Sequence, residues 1–76
     1  MLILNQNRDQ LINIDTVRSI KIIRERSNSY KILCEFPKSV TILVGEYTSL
    51  SMAKTALYSM QRAYKIKDGE YYVPQD

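Results

Sequence analysis

Arg24, Arg26, Tyr30 and Lys31 are the side chains of this 76-residue chain best suited to holding an anionic ligand. Arginine forks bind phosphate bidentately, and a tyrosine ring can stack on a base. Arg18, Lys21, Arg24, Arg26 and Lys31 crowd into fourteen residues, although the whole chain has only eleven Lys+Arg. Arg24, Arg26 and Tyr30 also share even parity beside a turn, so they can form one rim. The competing reading is a solvated hairpin whose charges discourage edge-to-edge pairing, with Glu25 diluting the positive field. A second group, Lys54, Tyr58 and Arg62, is spaced i, i+4, i+8, which makes a stripe on a helix. With Ser51 and Lys65 nearby, it suits an acidic protein surface or a nucleic-acid backbone, and equally a merely solubilising face. Tyr58 among charges has the character of a contact anchor. Tyr71 and Tyr72, beside an extended edge, suit contact between subunits by strand addition, or else close the bottom of a small core.

The chemistry that is missing narrows the field. The chain has no histidine, so it lacks the usual general base near neutral pH and the commonest metal ligand. It has one cysteine and two glycines. Cys34 cannot form an internal disulfide, and Gly45 and Gly69 cannot build a phosphate-cradling loop. A small fold without staples reads as cytoplasmic. Met1–Asp9 lacks the pattern of a signal peptide, and no apolar run approaches the roughly 20 residues of a membrane span. Asp9 and Asp15 read as turn formers. No carboxylate pair is positioned for acid/base work, so neither an enzyme nor a cofactor or metal is expected. Net charge is +3, with 45% hydrophobic and 25% charged residues, which describes one mildly basic globular domain over 1–76.

The elements that must position these residues follow from periodicity. Alternation with period two over the first half predicts strands at Leu2–Asn5, Leu11–Ile14, Val17–Arg26, Tyr30–Phe36 and Ser39–Val44. The connections are Gln6–Asp9, Asp15–Thr16, Ser27–Ser29 and Pro37–Lys38, all turn chemistry. Short polar connections imply one curved antiparallel meander of about five strands. Ile20, Ile22, Tyr30, Ile32, Cys34, Phe36, Val40, Ile42 and Val44 are all even-numbered and form the inner face, provided that the loops are odd. The registers expected are Cys34 with Ile42 and Ile22 with Cys34. They leave Ile23, Leu33 and Leu43 as an apolar stripe on the reverse face, covered by the chain ends or by a second subunit, or else exposed.

The second half changes period. Leu50, Ala53, Leu57, Met60 and Tyr64 repeat with helical spacing, with Ala56 and Ala63 on the same side. A helix from Ser49 to about Lys65, N-capped by Thr48, is predicted to lie on the even face of the sheet. Tyr71–Val73 is extended and adds an edge strand, ended by Pro74. The fold class is therefore α+β.

Five short patterns occur together: Ile3-Leu4-Asn5-Gln6, Ile12-Asn13-Ile14-Asp15-Thr16-Val17, Gly45-Glu46-Tyr47-Thr48-Ser49, Ala53-Lys54-Thr55-Ala56-Leu57 and Gly69-Glu70-Tyr71-Tyr72-Val73-Pro74. Together they resemble a group of small uncharacterised proteins carried by phages, prophages and related mobile elements of Gram-positive bacteria. The likeness spans nearly the whole chain. It departs at the helix start, where Ser49-Leu50-Ser51 lacks the Glu that follows the cap in the relatives. Its motifs are turns, a cap and a terminal strand, so no active site transfers. The resemblance implies an accessory protein that acts by binding. The expectation is an inhibitor of a host defence factor that binds a host protein and forms a homo-oligomer, a dimer or higher. The alternative is an oligomeric sponge for a small nucleotide signal. Nucleic-acid binding has less support, because phosphate contacts need more clustered Lys and Arg than this chain offers.

Overall fold

The structure, a computed structural model, describes residues 1–75. The strands are β1 (Leu2–Leu4), β2 (Leu11–Asn13), β3 (Ser19–Arg26), β4 (Ser29–Phe36) and β5 (Val40–Tyr47). Helix α1 (Leu50–Lys65) and strand β6 (Glu70–Tyr72) complete the order. The α+β class is as expected, but the single five-stranded meander is not what forms. The strands make two three-stranded sheets, β2-β1-β6 and β3-β4-β5.

The division falls at one corner. Asn13 accepts the backbone N–H of Asp15 on its side-chain oxygen at 3.0 Å, which starts a 3-10 turn over Ile14–Thr16. Val17 N–H closes it on the Ile14 carbonyl at 3.2 Å. That turn uses residues an immediate hairpin would have paired, so β3 starts at Ser19 and pairs with β4 rather than β2. The far side of β1 then takes β6 as a parallel neighbour, Ile3 beside Tyr71. Those partners lie 68 positions apart in the sequence, so no short-connection rule could have paired them.

In the hairpin sheet the even face holds except at Val40, which opens β5 at the Pro37–Ser39 corner and is 50% exposed, and its registers need corrections. Cys34 pairs with Ile42 as expected. Ile22, however, pairs with Ile32, and Ile20 with Cys34, two residues away from the expected register. The turn itself is only Ser27-Asn28, closing Arg26 on Ser29. A two-residue turn would reverse the parity, and the extra residue Glu25, in a bulge between Arg24 and Arg26, restores it. A second bulge, at Val44, sets Ile32 opposite Gly45 and Tyr30 opposite Tyr47. Past that point odd-numbered residues face inward, which is how Tyr47 becomes buried. Pro37–Ser39 makes the remaining corner, with Lys38 and Ser39 at φ 67° and 64°.

Helix α1 packs over this face. Its cap is Ser49, not Thr48: the Ser49 hydroxyl accepts Met52 N–H at 3.1 Å. The buried side chains are Ala53, Ala56, Met60 and Ala63. Three alanines let the helix approach Ile32, Cys34 and Val44 closely. Leu50 and Tyr64, expected inside, lie outside, because the buried stripe is centred on that alanine row. Ile3, Ile12, Ile14 and Val73 of the terminal segments join the same core.

The two sheets meet at a tight junction. Gly45 fits where a Cβ would sit 3.3 Å from both the Tyr47 ring and Val73 Cγ1, and 3.4 Å from Gln6 Cβ. Gln6 N–H donates to the Val44 carbonyl at 2.9 Å, and Gln6 Oε1 accepts Glu46 N–H at 2.7 Å. The Tyr47 hydroxyl donates to the Pro74 carbonyl. Arg8, at φ 63°, donates to the Val73 carbonyl at 2.8 Å. Buried Asn5 shapes this loop by accepting Asp9 and Gln10 N–H at 3.0 and 3.1 Å. Its carboxamide also donates to the Asp9 carboxylate at 2.8 Å.

Candidate functional site

The hairpin tip separates its candidates. Arg24 and Tyr30 are cross-strand partners, and the Arg24 guanidinium lies over the Tyr30 ring at 5.9 Å. That contact occupies a ring face which a base would stack on. Tyr30 is half-buried and packs against the core. Lys31 points to the opposite face, where its ammonium bonds the Glu25 carboxylate at 2.5 Å. The pair shifts both groups: the bond to Lys31 holds Glu25 below its ordinary range, and the bond to Glu25 holds Lys31 above its own. Glu46, opposite Lys31 in register, adds negative charge and accepts the Ser29 hydroxyl at 2.5 Å. Arg26 is exposed at the turn. The four residues therefore lie on two faces of mixed charge and do not form one rim.

The reverse stripe is partly open. Leu33 pairs with Leu43, as expected, but Ile23 sits opposite Lys31 and reaches Leu33 only diagonally. Ile23 and Leu33 are half-buried, and Leu43 is 41% exposed. Lys21–Glu35 at 3.5 Å and Lys31–Glu25 at 2.5 Å are ion pairs across the same face. Among the described residues, the terminal strands β1 and β6 both pair in the other sheet.

The terminal tyrosines part company. Alternation along β6 sends them to opposite faces. Tyr71 is half-buried, its hydroxyl bonded to that of Ser59 and donating to the Ala56 carbonyl at 3.2 Å. Burial pushes its pKa above the ordinary phenol value. It pins the helix to β1-β6. Tyr72 is 59% exposed, with Arg8 over its ring at 5.8 Å. In register it continues a row, Leu11–Leu4–Tyr72, across the outer face of β2-β1-β6, with Leu2 alongside. No sequence pattern marks this face, because it exists only once β1 and β6 are paired.

Lys54, Tyr58 and Arg62 are all exposed on α1, as their spacing requires. Beside them opens a groove of about 510 Å³. One wall is Leu57, Tyr58, Met60, Gln61 and Tyr64 of α1; the other is Ile14, Asp15, Val17 and Ile20. Tyr58 and Tyr64 stand at its mouth, 59% and 58% exposed. Asp15 accepts the Met1 ammonium at 2.7 Å. The volume falls within the roughly 300–1,000 Å³ of ordinary ligand pockets. Sequence spacing found Tyr58 but not the groove, whose far wall depends on the Ile14–Thr16 turn.

Cys34 lies in the core, where burial pushes its thiol up to about 11. At neutral pH it is a protonated, shielded thiol rather than a nucleophile. No helix among the described residues is long and apolar enough to cross a membrane. No protein-family model, curated protein or solved structure matches the chain.

Proposed function

We propose that this chain is a non-enzymatic protein-binding module, an accessory protein of a phage or mobile element that inhibits a bacterial defence factor by occupying its surface. The observation that carries the binding part is the apolar groove between α1 and Ile14–Ile20, flanked by two exposed tyrosines. Such a mouth suits an aliphatic or aromatic anchor from another protein, because tyrosine offers large contact area at low entropic cost. The accessory role comes from the resemblance to phage-borne proteins, and the homo-oligomer from the half-open stripe Ile23, Leu33 and Leu43. The nucleotide-sponge reading gains less from the geometry, since Tyr30 is already stacked by Arg24 and Lys31 is held by Glu25.

Site-specific photocrosslinking tests the groove. A crosslinking residue in place of Gln61, which lines it, should trap a discrete adduct in cells carrying the target, and Leu57→Arg should abolish the adduct. The same residue in place of Arg26 should trap none. Equal trapping at both positions, or trapping that survives Leu57→Arg, would remove the groove from the account.

A further inference from the structure

The charges around the groove are one-sided. Helix α1 contains Lys54, Arg62 and Lys65 and not one acidic residue. Among the described residues, none of these three cations takes part in an ion pair, whereas Lys21 and Lys31 both do. On a helical wheel Lys54 and Lys65 fall between Gln61 and Tyr58, two of the groove-lining positions, and Arg62 follows beyond Tyr58. Arg18, next to Val17 in the sequence, is a further exposed cation. The one acid in the lining, Asp15, is already bonded to an ammonium. A partner approaching this groove therefore meets an apolar floor whose helical side carries positive charge that is not internally compensated.

We infer that the groove receives an acidic amphipathic segment of a partner protein, with apolar side chains entering between Leu57, Tyr64, Val17 and Ile20 and carboxylates lying against Lys54, Arg62 and Lys65. The inference rests on the protein-binding reading above and adds the chemistry of the partner. The apolar floor sets this occupant apart from a nucleic acid. A phosphate backbone would use the cations but leave the exposed parts of Leu57, Val17 and Ile20 in water, and duplex binding is carried mainly by phosphate contacts. An acidic amphipathic helix uses both parts of the surface, in the manner of helix-in-groove recognition. Opposite charges also hasten encounter and disfavour basic partners.

The test uses two designed amphipathic peptides with identical leucine and phenylalanine positions, one with glutamate at every polar position and the other with lysine. Each is titrated into the isotopically labelled protein while its amide resonances are followed. The glutamate peptide is expected to shift residues 17, 20, 57, 58, 61 and 64, and to bind at least tenfold tighter than the lysine peptide in dilute buffer. That advantage should shrink in about 0.5 M salt, where screening reaches only a few ångströms. The double variant Lys54→Glu, Lys65→Glu alters only exposed positions and should invert the preference. Equal or tighter binding of the lysine peptide at the groove overturns the acidic chemistry and leaves the protein-binding reading standing. Failure of both peptides to perturb the groove at millimolar concentration overturns both. A single-stranded oligonucleotide that shifts the same residues more strongly than the glutamate peptide assigns the stripe to nucleic acid and overturns the inference as well.

Discussion

The two sheets of this small protein are built by opposite means. In β3-β4-β5 each strand pairs with its neighbour in sequence through a short turn, and the strands are eight residues long. In β2-β1-β6 the strands are three residues long, and the central one joins a partner at the other end of the chain. The first sheet can form as soon as its own turns do. The second must wait until the helix has brought Glu70–Tyr72 back, because closing a long loop costs entropy before any contact repays it. Yet both put side chains into one core, where Ile3 is as fully buried as Ile32. Late assembly and equal burial make different demands on mutations, and that difference can be measured.

The largest effects should come from the shared core. Ile32→Ala removes a buried branched side chain from the middle of β4 and should cost about 3 kcal/mol of unfolding free energy. Ile3→Ala should cost a similar amount in urea denaturation, because its burial is the same. The kinetics should differ: Ile32→Ala should slow refolding, and Ile3→Ala should mainly speed unfolding. A loss well under 1 kcal/mol at Ile3 would mean that the terminal sheet is a loosely attached flap. Next comes the junction. Gly45→Val forces a side chain into a space bounded by Tyr47, Val73 and Gln6, and should cost about 2 kcal/mol by overpacking. If that variant keeps wild-type stability, the two sheets are not packed as tightly as the contacts at Gly45 require.

The same contrast explains what could be read in advance. The hairpin sheet was legible because alternation and turn residues are local signals, and Cys34 opposite Ile42 followed from them. Its errors were local too. Glu25 and Val44 are bulge residues, and a bulge leaves no mark in an apolar/polar pattern. The exposed stripe on α1 was legible from spacing, but the alanines that define its buried side offered little hydrophobic contrast. The terminal sheet was not legible as a sheet. Even so, Asn5-Gln6, Gly45-Glu46-Tyr47 and Val73-Pro74, far apart in the sequence, converge on the one junction where Gln6, Tyr47 and the Val73–Pro74 carbonyls bond. Their spacing along the chain carried no hint of that meeting, since only the parallel pairing of the ends creates it.

A smaller effect isolates the helix–terminal-sheet contact. Tyr71→Phe keeps the ring and removes the hydroxyl bonded to Ser59 and to the Ala56 carbonyl. It should cost about 1 kcal/mol, the net worth of a typical hydrogen bond. In hydrogen exchange the amides of β1 and β6 should lose more protection than those of β4. Uniform loss of protection would show that the terminal sheet has no separate opening. Alkaline pH should act on both regions together. Cys34, with its pKa raised to about 11, and Tyr71, also raised, hold their protons more tightly folded than unfolded. The Cys34 contribution is complete below the unfolded thiol value near 9 and is lost as pH rises through about 11, and Tyr71 adds a loss of the same sign. Thermal melts across that window should fall with pH, and Cys34→Ala should flatten the slope.

The least effect is expected where charge is most conspicuous. Lys31 and Glu25 are close at 2.5 Å, and each moves the other's pKa, Lys31 upward and Glu25 downward. A lowered carboxylate stabilises the fold above its unfolded value, and that contribution disappears as pH falls through the folded one. The pair is solvated at the hairpin tip, however, where water and salt screen it and two long side chains lose freedom to hold it. Glu25→Gln should therefore leave the denaturation midpoint unchanged within error, in dilute buffer and in salt alike. Its one visible consequence should be a lower Lys31 pKa, read by side-chain resonance titration. A clear drop in midpoint would show that the bulge at Glu25, which restores the inward parity of the whole hairpin, depends on this bond. The local sheet would then share the terminal sheet's reliance on a specific side-chain tie.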